Sequence, residues 1–228
     1  MSFDDAIAIL GGTGDQGLGL AFRFAKAGRP VVIGSRVPER AESAAEKVRA
    51  AVSGAEVSGH GNEEATERAS VVILSVPFEH TAGTVKAIRD HLREGQTLVS
   101  MAVPLATAIG DGAVRTVGIW QGSAAEMVKS LAPKGVFVVS AFQNVSAHRL
   151  CDLDHPVECD VVVSGAKAAR TRVMELCTLI PGLRGVDGGP LSNARVVEDL
   201  TALLIGLNVR HKVPEGLGIR FSGLPEGD

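Results

Sequence analysis

Length, composition and charge together favour a single globular α/β protein that acts on small molecules. The chain has 228 residues, of which 45% are hydrophobic but only 4% aromatic, so its apolar mass is mostly small aliphatic side chains. This length suits one domain, or one domain with a small appendage. The formal net charge is -3 and no lysine or arginine block stands out, which excludes the electrostatic footprint of a nucleic-acid-binding protein.

The first residues predict neither a signal peptide nor a membrane span. Asp4 and Asp5 stand where a signal peptide needs basic residues, and the apolar run at 6–10 is too short to cross a bilayer. We therefore expect a cytoplasmic protein that does not bind membranes.

The cysteines predict reduced thiols and no metal site. Cys151, Cys159 and Cys177 are odd in number and confined to the last third of the chain, which argues against a disulfide framework. Cys151, His155 and Cys159 could suggest a metal clip, but Pro156 breaks helical spacing and zinc requires a fourth ligand.

Short apolar runs alternate with helical patterns along most of the chain. The runs are bounded by Gly, Ser or Pro, as expected of strands buried on both faces of a parallel sheet. They occupy residues 6–10, 31–33, 71–74, 97–101, 116–120 and 135–140. Apolar residues spaced by three and four predict helices over residues 18–27, 39–52, 79–92 and 123–131, and Ser123 with Glu126 forms a capping box. This alternation predicts a Rossmann-type doubly wound parallel sheet, whose ligands bind at the carboxyl ends of the strands.

The pattern changes after Ser140, which predicts a smaller C-terminal α/β portion. A polar stretch at 143–155 precedes a strand at 160–163, a helix at 166–180, a turn-rich link at 181–189 and a helix at 190–208. We expect residues 1–145 to form the cofactor-binding Rossmann domain. Residues 146–228 would form a small domain that covers its cleft.

A glycine-rich motif follows the first predicted strand and opens a helix. Its residues are Gly12, Thr13, Gly14, Asp15, Gln16 and Gly17, in the order G-x-G-x-x-G. In a dinucleotide site the first glycine permits a tight turn, the second lets the pyrophosphate approach, and the third lets the helix pack closely. Thr13 could add a hydroxyl contact, and Asp15 is expected to cap the helix.

Ser35 and Arg36, at the end of the second predicted strand, indicate NADP. An NAD site usually carries an acidic residue here, whereas a hydroxyl and a guanidinium suit a ribose 2′-phosphate. Arg40, one turn further on, can supply a second charge. The alternative, a solvated face formed with Glu39 and Glu42, stays open from the sequence alone.

Ser75, Val76 and Pro77, after the run at 71–74, mark the edge where a nicotinamide ring would lie. His80 follows on the next helix. It could contact the pyrophosphate or ribose, or pack at the helix terminus, and the sequence does not choose between these roles.

The chain lacks the usual proton donor of carbonyl reductases, because it contains no tyrosine. Hydride exchange between the ring carbons of two stacked cofactors requires proximity and orientation, with no proton donor at the acceptor carbon. The second substrate is therefore expected to be planar.

Several segments together resemble the NADPH-dependent coenzyme F420 reductases, also called F420H2:NADP oxidoreductases. The resemblance covers nearly the whole chain and is most specific near its end. It is carried by residues 10–17, 32–36, 75–80, 123–126, 139–142, 189–195, 197–201 and 217–221.

The resemblance implies hydride transfer between nicotinamide C4 and deazaflavin C5, with NADP and coenzyme F420 as cofactors and a homodimeric assembly. It assigns adenosine-phosphate contacts to Thr13, Ser35, Arg36 and Arg40. It also implies that the ring region is lined by Val76, Val103, Ala147 and, from the tail, Leu217.

Two departures from the archaeal pattern concern the second ring. Gln143 replaces a histidine, and although its amide can hydrogen-bond a ring carbonyl, it cannot become cationic. The segment 104–122 is also longer. An NADPH-dependent FMN or FAD reductase of the same fold, and a nonenzymatic NADP-sensing module, therefore remain alternatives.

Overall fold

The computed structural model describes residues 6–224; residues 1–5, on which the expected absence of a signal peptide rests, and residues 225–228 lie outside it. The strands are β1 (Ile7–Leu10), β2 (Val31–Ser35), β3 (Val57–Gly61), β4 (Val71–Leu74), β5 (Thr97–Ser100), β6 (Phe137–Ser140), β7 (Cys159–Gly165) and β8 (Leu183–Asp187). The α-helices are α1 (Asp15–Lys26), α2 (Pro38–Ala51), α3 (Asn62–Glu67), α4 (Phe78–Ile88), α5 (Ala124–Leu131), α6 (Ala147–Cys151), α7 (Lys167–Thr178) and α8 (Ala194–His211). Short 3-10 turns occur at Arg89–His91, Ala106–Ile109 and Leu191–Asn193.

The strands form one sheet in the order β3-β2-β1-β4-β5-β6-β7-β8. Neighbouring strands are parallel except for β6 and β7, which are antiparallel. The chain moves outward from β1 in one direction through β2 and β3, and then in the other through β4 and β5. The predicted doubly wound α/β fold is confirmed, and its topological switch point lies between β1 and β4, where such sheets bind ligands.

The core has two layers, one on each face of the sheet, because the central strands are apolar on both sides. One layer contains Ile7, Ile9, Phe24 and Val31 with the inner faces of α1 and α2. The other contains Leu10, Leu74 and the inner faces of α4 and α5. The carboxyl edge of the sheet lies between these two layers, and the ligand site is expected there.

The predicted strand at residues 116–120 is wrong. The segment lies in the long loop between β5 and α5, where only Thr116 forms an isolated bridge, to Leu105. Both sides of β5 are occupied by β4 and β6, so the sheet has no place there for another strand. Trp120 is 99% exposed, which shows that this apolar run does not enter the core.

Four strands and helices that the sequence did not predict are β3, α3, α6 and β8. β3 and β8 are the two edges of the sheet, and in β3 only Val57 is fully buried. Edge strands therefore lack the continuous apolar run that identified the central strands. The segment at 181–189, interpreted as a turn-rich link, contains β8.

Strand β7 is offset from the rest of the sheet. Only Ser164 and Gly165 pair with β6, opposite Ser140 and Val139. Because the two strands are antiparallel, the earlier part of β7 extends beyond the carboxyl end of β6, where it pairs with β8 along its length. We call residues 159–187, which contain β7, α7 and β8, the wing. The first part of the wing therefore lies beyond the carboxyl end of β6.

Helix α6 is fastened to α1 by one buried arginine. Arg23 Nε donates to the carbonyl of Leu150 at 2.9 Å, and its Nη2 donates to the carbonyls of Arg149 at 2.7 Å, His155 at 2.9 Å, and Asp152. These carbonyls end α6 and begin the following loop, and a guanidinium supplies the several donors they need. The domain division at residue 145 remains a prediction; α6, just beyond it, packs on α1.

Glu198 fastens α8 to the beginning of α5. The capping box is present, because the Ser123 hydroxyl accepts from the Glu126 amide at 3.0 Å. The Glu198 carboxylate also accepts from the amides of Ala124 at 2.8 Å and Ala125 at 3.1 Å. Burial raises the pKa of Glu198 to about 7, although both amides oppose the rise. The folded protein therefore binds a proton that the unfolded chain releases at mildly acidic pH.

This linkage predicts that Glu198 makes stability fall as pH rises from its ordinary pKa of 4.5 to about 7. Glu198→Gln removes the titration. Between pH 5 and 8, the free energy of unfolding of wild type should therefore decrease relative to that of the variant, by on the order of 3 kcal/mol. Urea unfolding at several pH values measures the difference. Glu175→Gln, at an exposed carboxylate of α7, controls for loss of one charge; a pH-independent difference for Glu198→Gln would contradict the prediction.

Candidate functional site

The glycine loop joins β1 to α1 at the switch point. The left-handed residue of its turn is Gly11, with φ +80°, and not Gly12 as the motif predicted. A Cβ on Gly11 would lie 2.5 Å from the carbonyl oxygen of Ser75. Gly12 is required for a different reason, because its Cβ would lie 2.9 Å from the carbonyl oxygen of Ile9. Two consecutive positions therefore exclude side chains.

The other two glycines match their expected roles. A Cβ on Gly17 would lie 2.8 Å from the Cα of Gly12, so α1 packs directly on the loop. Gly14 has only one protein atom in reach, the Gly11 carbonyl oxygen at 3.6 Å, and is otherwise open. Gly14 is also the N-cap of α1, without a side-chain cap, so the expectation that Asp15 caps the helix is wrong. The first amides of α1 face the open side of this loop.

Ser35, Arg36 and Arg40 lie beside the glycine loop, at the end of β2 and the start of α2. The Gly11 amide donates to the Gly34 carbonyl at 3.0 Å, which holds the two edges together. The Ser35 hydroxyl accepts from the Val37 amide at 3.1 Å, so its own hydrogen is free to be donated. The exposed Thr13 lies on the loop itself.

The solvated face considered as an alternative for the two arginines stays open, because neither arginine is drawn into an ion pair with Glu39 or Glu42. Glu42 instead accepts from Arg49 Nη2 at 2.6 Å and from the Gly59 amide at 3.0 Å. Within residues 6–224, no ion pair joins Arg36 or Arg40 to a carboxylate, and both are exposed. Two cations are therefore available at the position where a 2′-phosphate would be recognised.

A cleft of about 790 Å³ opens at the carboxyl edge of the sheet. Its walls come from the start of α1, the segments after β4, β5 and β6, helix α8, and the tail that follows α8. It brings together ten residues predicted for the site: Gly14, Asp15, Gln16, Ser75, Val76, Pro77, Val103, Gln143, Ala147 and Leu217. The volume lies in the range typical of cofactor pockets.

The remaining predicted residues do not line this cleft. Gly12 and Gly17 lie beneath it, and Thr13, Ser35, Arg36 and Arg40 lie on the adjoining edge. His80 is exposed on the first turn of α4, where its amide donates to the carbonyl of Pro77 at 2.9 Å. Because the His80 side chain is exposed, the structure shows no packing for it, and its role stays a prediction.

The loop after β6 is held in an unusual conformation against α1. Phe142 has φ +68°, and its buried ring packs edge-on against Phe24. Gln16 Nε2 donates to the carbonyls of Phe142 and Val145, both at 3.1 Å. A non-glycine residue at positive φ is strained and persists where its surroundings fix it. The Gln16 amide thus joins the phosphate end of the cleft to the loop that carries Gln143.

Gln143 is buried at the wall of this cleft, with one half of its amide unpartnered. Its Nε2 donates to the Ser140 hydroxyl at 2.8 Å, whereas Oε1 has no hydrogen-bond partner in the described part of the chain. The sequence suggested that this side chain would donate to a ring carbonyl. The structure instead uses the amide nitrogen for Ser140 and leaves the acceptor oxygen buried without a partner among residues 6–224.

Several lining residues were missed from the sequence, and helix α8 supplies four of them. Thr201, Leu204, Ile205 and Asn208 form a stripe along the cleft. Their spacing of three and four is visible in the sequence, but the stronger apolar pattern of the same helix suits a core or a dimer contact equally well. Asn208 also holds the tail, because its Oδ1 accepts from the Leu217 amide at 2.8 Å.

Two further findings bear on the expected partners. Among residues 6–224, no group of three or more His, Cys, Asp or Glu side chains could hold a metal ion. No helix in that same range is long and apolar enough to span a bilayer. Cys151, Cys159 and Cys177 are all free thiols.

Comparison with known proteins identifies relatives over nearly the whole chain. Residues 6–104 match the family model described as NADP oxidoreductase coenzyme F420-dependent. The F420-dependent NADP reductase of Methanocaldococcus jannaschii is 46% identical over 223 residues, covering 96% of this chain and 98% of the relative. The reductase of the same name from Methanothermobacter thermautotrophicus is 44% identical over 224 residues and covers 96% of each.

Solved structures share the fold. A putative F420-dependent NADP reductase from Arthrobacter sp. FB24 superposes with a TM-score of 0.78 at 24% identity, over 94% of this chain and 99% of the other. A hypothetical protein from Sinorhizobium meliloti superposes with a TM-score of 0.65 at 28% identity, over 84% and 87%. With relatives at 44% to 46% identity over almost its full length, the chain belongs to the F420-dependent NADP reductase family.

Proposed function

We propose that this protein is an oxidoreductase that transfers a hydride between NADP(H) and the deazaflavin coenzyme F420. The observation that carries the proposal is the single cleft that runs from the glycine loop to the tail and is walled near its middle by Val76, Val103, Ala147 and Leu217. Such apolar walls suit two stacked planar rings. Hydride transfer between stacked rings depends on proximity and orientation.

The glycine loop and the β2 edge form the NADP half. The open Gly14 and the first amides of α1 receive the pyrophosphate. Ser35 donates its hydroxyl, and Arg36 and Arg40 pair with the 2′-phosphate through bidentate, directional hydrogen bonds. Val76 and Pro77 stand beside the nicotinamide ring.

The segments beyond β5 and β6, together with the tail, form the deazaflavin half. Val103, Ala147 and Leu217 provide apolar contact, and Gln143 provides a buried acceptor without a partner. The pyrimidine part of a deazaflavin carries an imide N–H, which is the group that such an acceptor recognises. An unsatisfied buried oxygen is costly, so a ligand that supplies a donor is favoured. The residues therefore fit the group.

The decisive experiment mixes the purified protein with NADPH and either coenzyme F420 or FMN, and follows the absorbance of both cofactors. We expect NADPH to be consumed with F420 and slowly or not at all with FMN. Rapid consumption with FMN alone would make the protein a flavin reductase. No turnover with either, despite NADPH binding, would favour an NADP-sensing module.

Arg36→Ala should weaken NADPH far more than NADH. Loss of a charged hydrogen bond to phosphate costs on the order of 2 kcal/mol, so KM for NADPH should rise about 30-fold while KM for NADH changes little. Steady-state kinetics with both cofactors measure the split. Arg210→Ala, at an exposed arginine near the end of α8, is the control, and equal losses for NADPH and NADH would show that Arg36 is structural.

Gln143→Leu should impair the deazaflavin half alone. Removal of the acceptor should raise KM for F420 about tenfold, with KM for NADPH within about twofold of wild type. Ser140→Ala, which releases the Gln143 amide from its present orientation, should show a smaller effect of the same kind. The exposed Gln121→Leu is the matched control. An unchanged KM for F420 in Gln143→Leu removes Gln143 from the site.

A homodimer is part of the proposal. The apolar residues of α8 lie on two faces of the helix. Val197 and Leu204 are buried, whereas Val196 and Leu203 are 69% and 56% exposed. The adjoining loop is fixed to α8 by a hydrogen bond from the Thr116 hydroxyl to Asp199. This loop adds the fully exposed Trp120, and the resulting apolar surface suits a second copy of the chain. The expected cytoplasmic location remains a prediction.

Leu203→Glu should convert the dimer to monomer, because it places a charge in an apolar contact. Sedimentation velocity over a range of protein concentrations measures the change. Glu175→Leu, which alters an exposed residue of α7 instead, should leave the assembly unchanged. A monomeric wild type would contradict the dimer itself.

A further inference from the structure

Asp160, in the first half of β7, is a fully buried carboxylate that receives donors from two directions. Its Oδ1 accepts from Arg184 Nε at 2.9 Å and from Arg220 Nη1 at 2.8 Å. Its Oδ2 accepts from Arg184 Nη2 at 2.6 Å and from the Phe221 amide at 2.7 Å. Every lone-pair position of the carboxylate is thus used, and two of its four donors come from the tail.

The backbone of the same residue holds two further groups. Its amide donates to the carbonyl of Ile219 in the tail at 2.7 Å. Its carbonyl accepts from Asn144 Nδ2 at 2.8 Å, and Asn144 lines the cleft next to Gln143. One residue therefore joins the tail to the loop after β6, the two segments that wall the deazaflavin half.

The offset of β7 explains why Asp160 is available for this role. This part of β7 extends beyond β6, so its free edge would expose unpaired backbone groups. The tail covers that edge, and it fits closely: a Cβ on Gly218 would lie 2.4 Å from the carbonyl oxygen of Glu158. The chain direction then brings Leu217, one residue earlier, to the cleft.

A second set of contacts fixes the tail on the other side of Leu217. The Ser146 hydroxyl donates to the Glu215 carbonyl at 2.6 Å, and Arg149 Nε donates to the Gly216 carbonyl at 2.7 Å. These contacts hold the middle of residues 212–221, which we call the strap, whereas Asp160 anchors its end. Hydrogen bonds from Arg184, the Phe221 amide and Arg220 keep the pKa of Asp160 below its usual value, although burial alone would raise it.

We propose that Asp160 is the positioning residue of the deazaflavin half, acting through Leu217 and the Gln143–Asn144 loop without touching either cofactor. The inference rests on the proposed function, because it names the half of that site that Asp160 builds. The proposal predicts different effects on the two substrates. Loosening the contacts of Asp160 with the tail disorders the wall of the F420 half, whereas the glycine loop and Arg36 keep their positions.

The test compares variants that release the anchor to different degrees. Asp160→Asn removes the charge but leaves two arginines facing a neutral amide, which could prevent folding. Arg220→Gln is milder, since Arg184 still neutralises Asp160. A chain that ends at Ile219 removes both tail donors while retaining Leu217. Arg170→Gln is the matched control, because Arg170 pairs with Asp187 within the wing and does not contact the tail.

We expect KM for F420 to rise about tenfold in Arg220→Gln and in the shortened chain, with KM for NADPH within about twofold of wild type. Arg170→Gln should change neither. A protease specific for lysine should cleave after Lys212 faster in the two tail variants than in wild type or Arg170→Gln, because release of the anchor exposes the strap.

Two outcomes would overturn the proposal. Faster cleavage with an unchanged KM for F420 would show that Asp160 holds the tail but does not position the site. Equal increases in both KM values, or the same change in Arg170→Gln, would show a general structural role. If the wild type fails to turn over F420, the proposed function fails, and cleavage after Lys212 still decides separately whether Asp160 anchors the tail.

Discussion

The glycine loop lies directly against the end of β4, with no room for a side chain between them. The Ser75 amide donates to the Leu10 carbonyl at 2.8 Å, and no side chain fits between Gly11 and the carbonyl of Ser75. This contact brings the loop that we propose to receive the phosphates against the segment that we propose to flank the nicotinamide. Because both segments begin at adjacent parallel strands, their separation is set by the sheet itself. The NADP half therefore inherits the rigidity of the core.

The opposite half of the cleft is built differently. Its walls are a loop, a short helix, α8 and the tail. They are held by three buried polar groups, Arg23, Asp160 and Glu198, and by the partly buried Gln16. Each makes several hydrogen bonds to backbone or to opposite charge, which offsets the cost of burial. Such contacts are directional, so they specify the positions of Gln143 and Leu217 more closely than apolar packing alone would.

The central part of the fold was predictable because β1, β2 and β4 carry continuous apolar runs. The glycine motif and Arg36 follow two of these runs at the spacing that a dinucleotide site requires. The two edge strands, β3 and β8, were not predictable. An edge strand has fewer buried positions, so its sequence lacks a continuous apolar run. The run at 116–120 misled for the converse reason: it is apolar but lies outside the core, with Trp120 exposed and Val117 and Ile119 only partly buried. The orientation of Gln143 depends on Ser140, and the placement of Leu217 depends on Asp160, a residue 57 positions earlier in the chain. Neither pairing leaves a local signal.

The four carbonyls that partner Arg23 have a consequence for the order in which the protein is made. They lie 126 to 132 residues after the arginine, so α1 emerges from the ribosome long before its guanidinium can be satisfied. Until residue 155 has been synthesised, this helix can only dock provisionally, because an unpaired guanidinium resists burial. The nucleotide half, although encoded first, is completed by residues from the second half of the chain. It therefore assembles late in folding, because the contacts of Arg23 must close a long loop of chain.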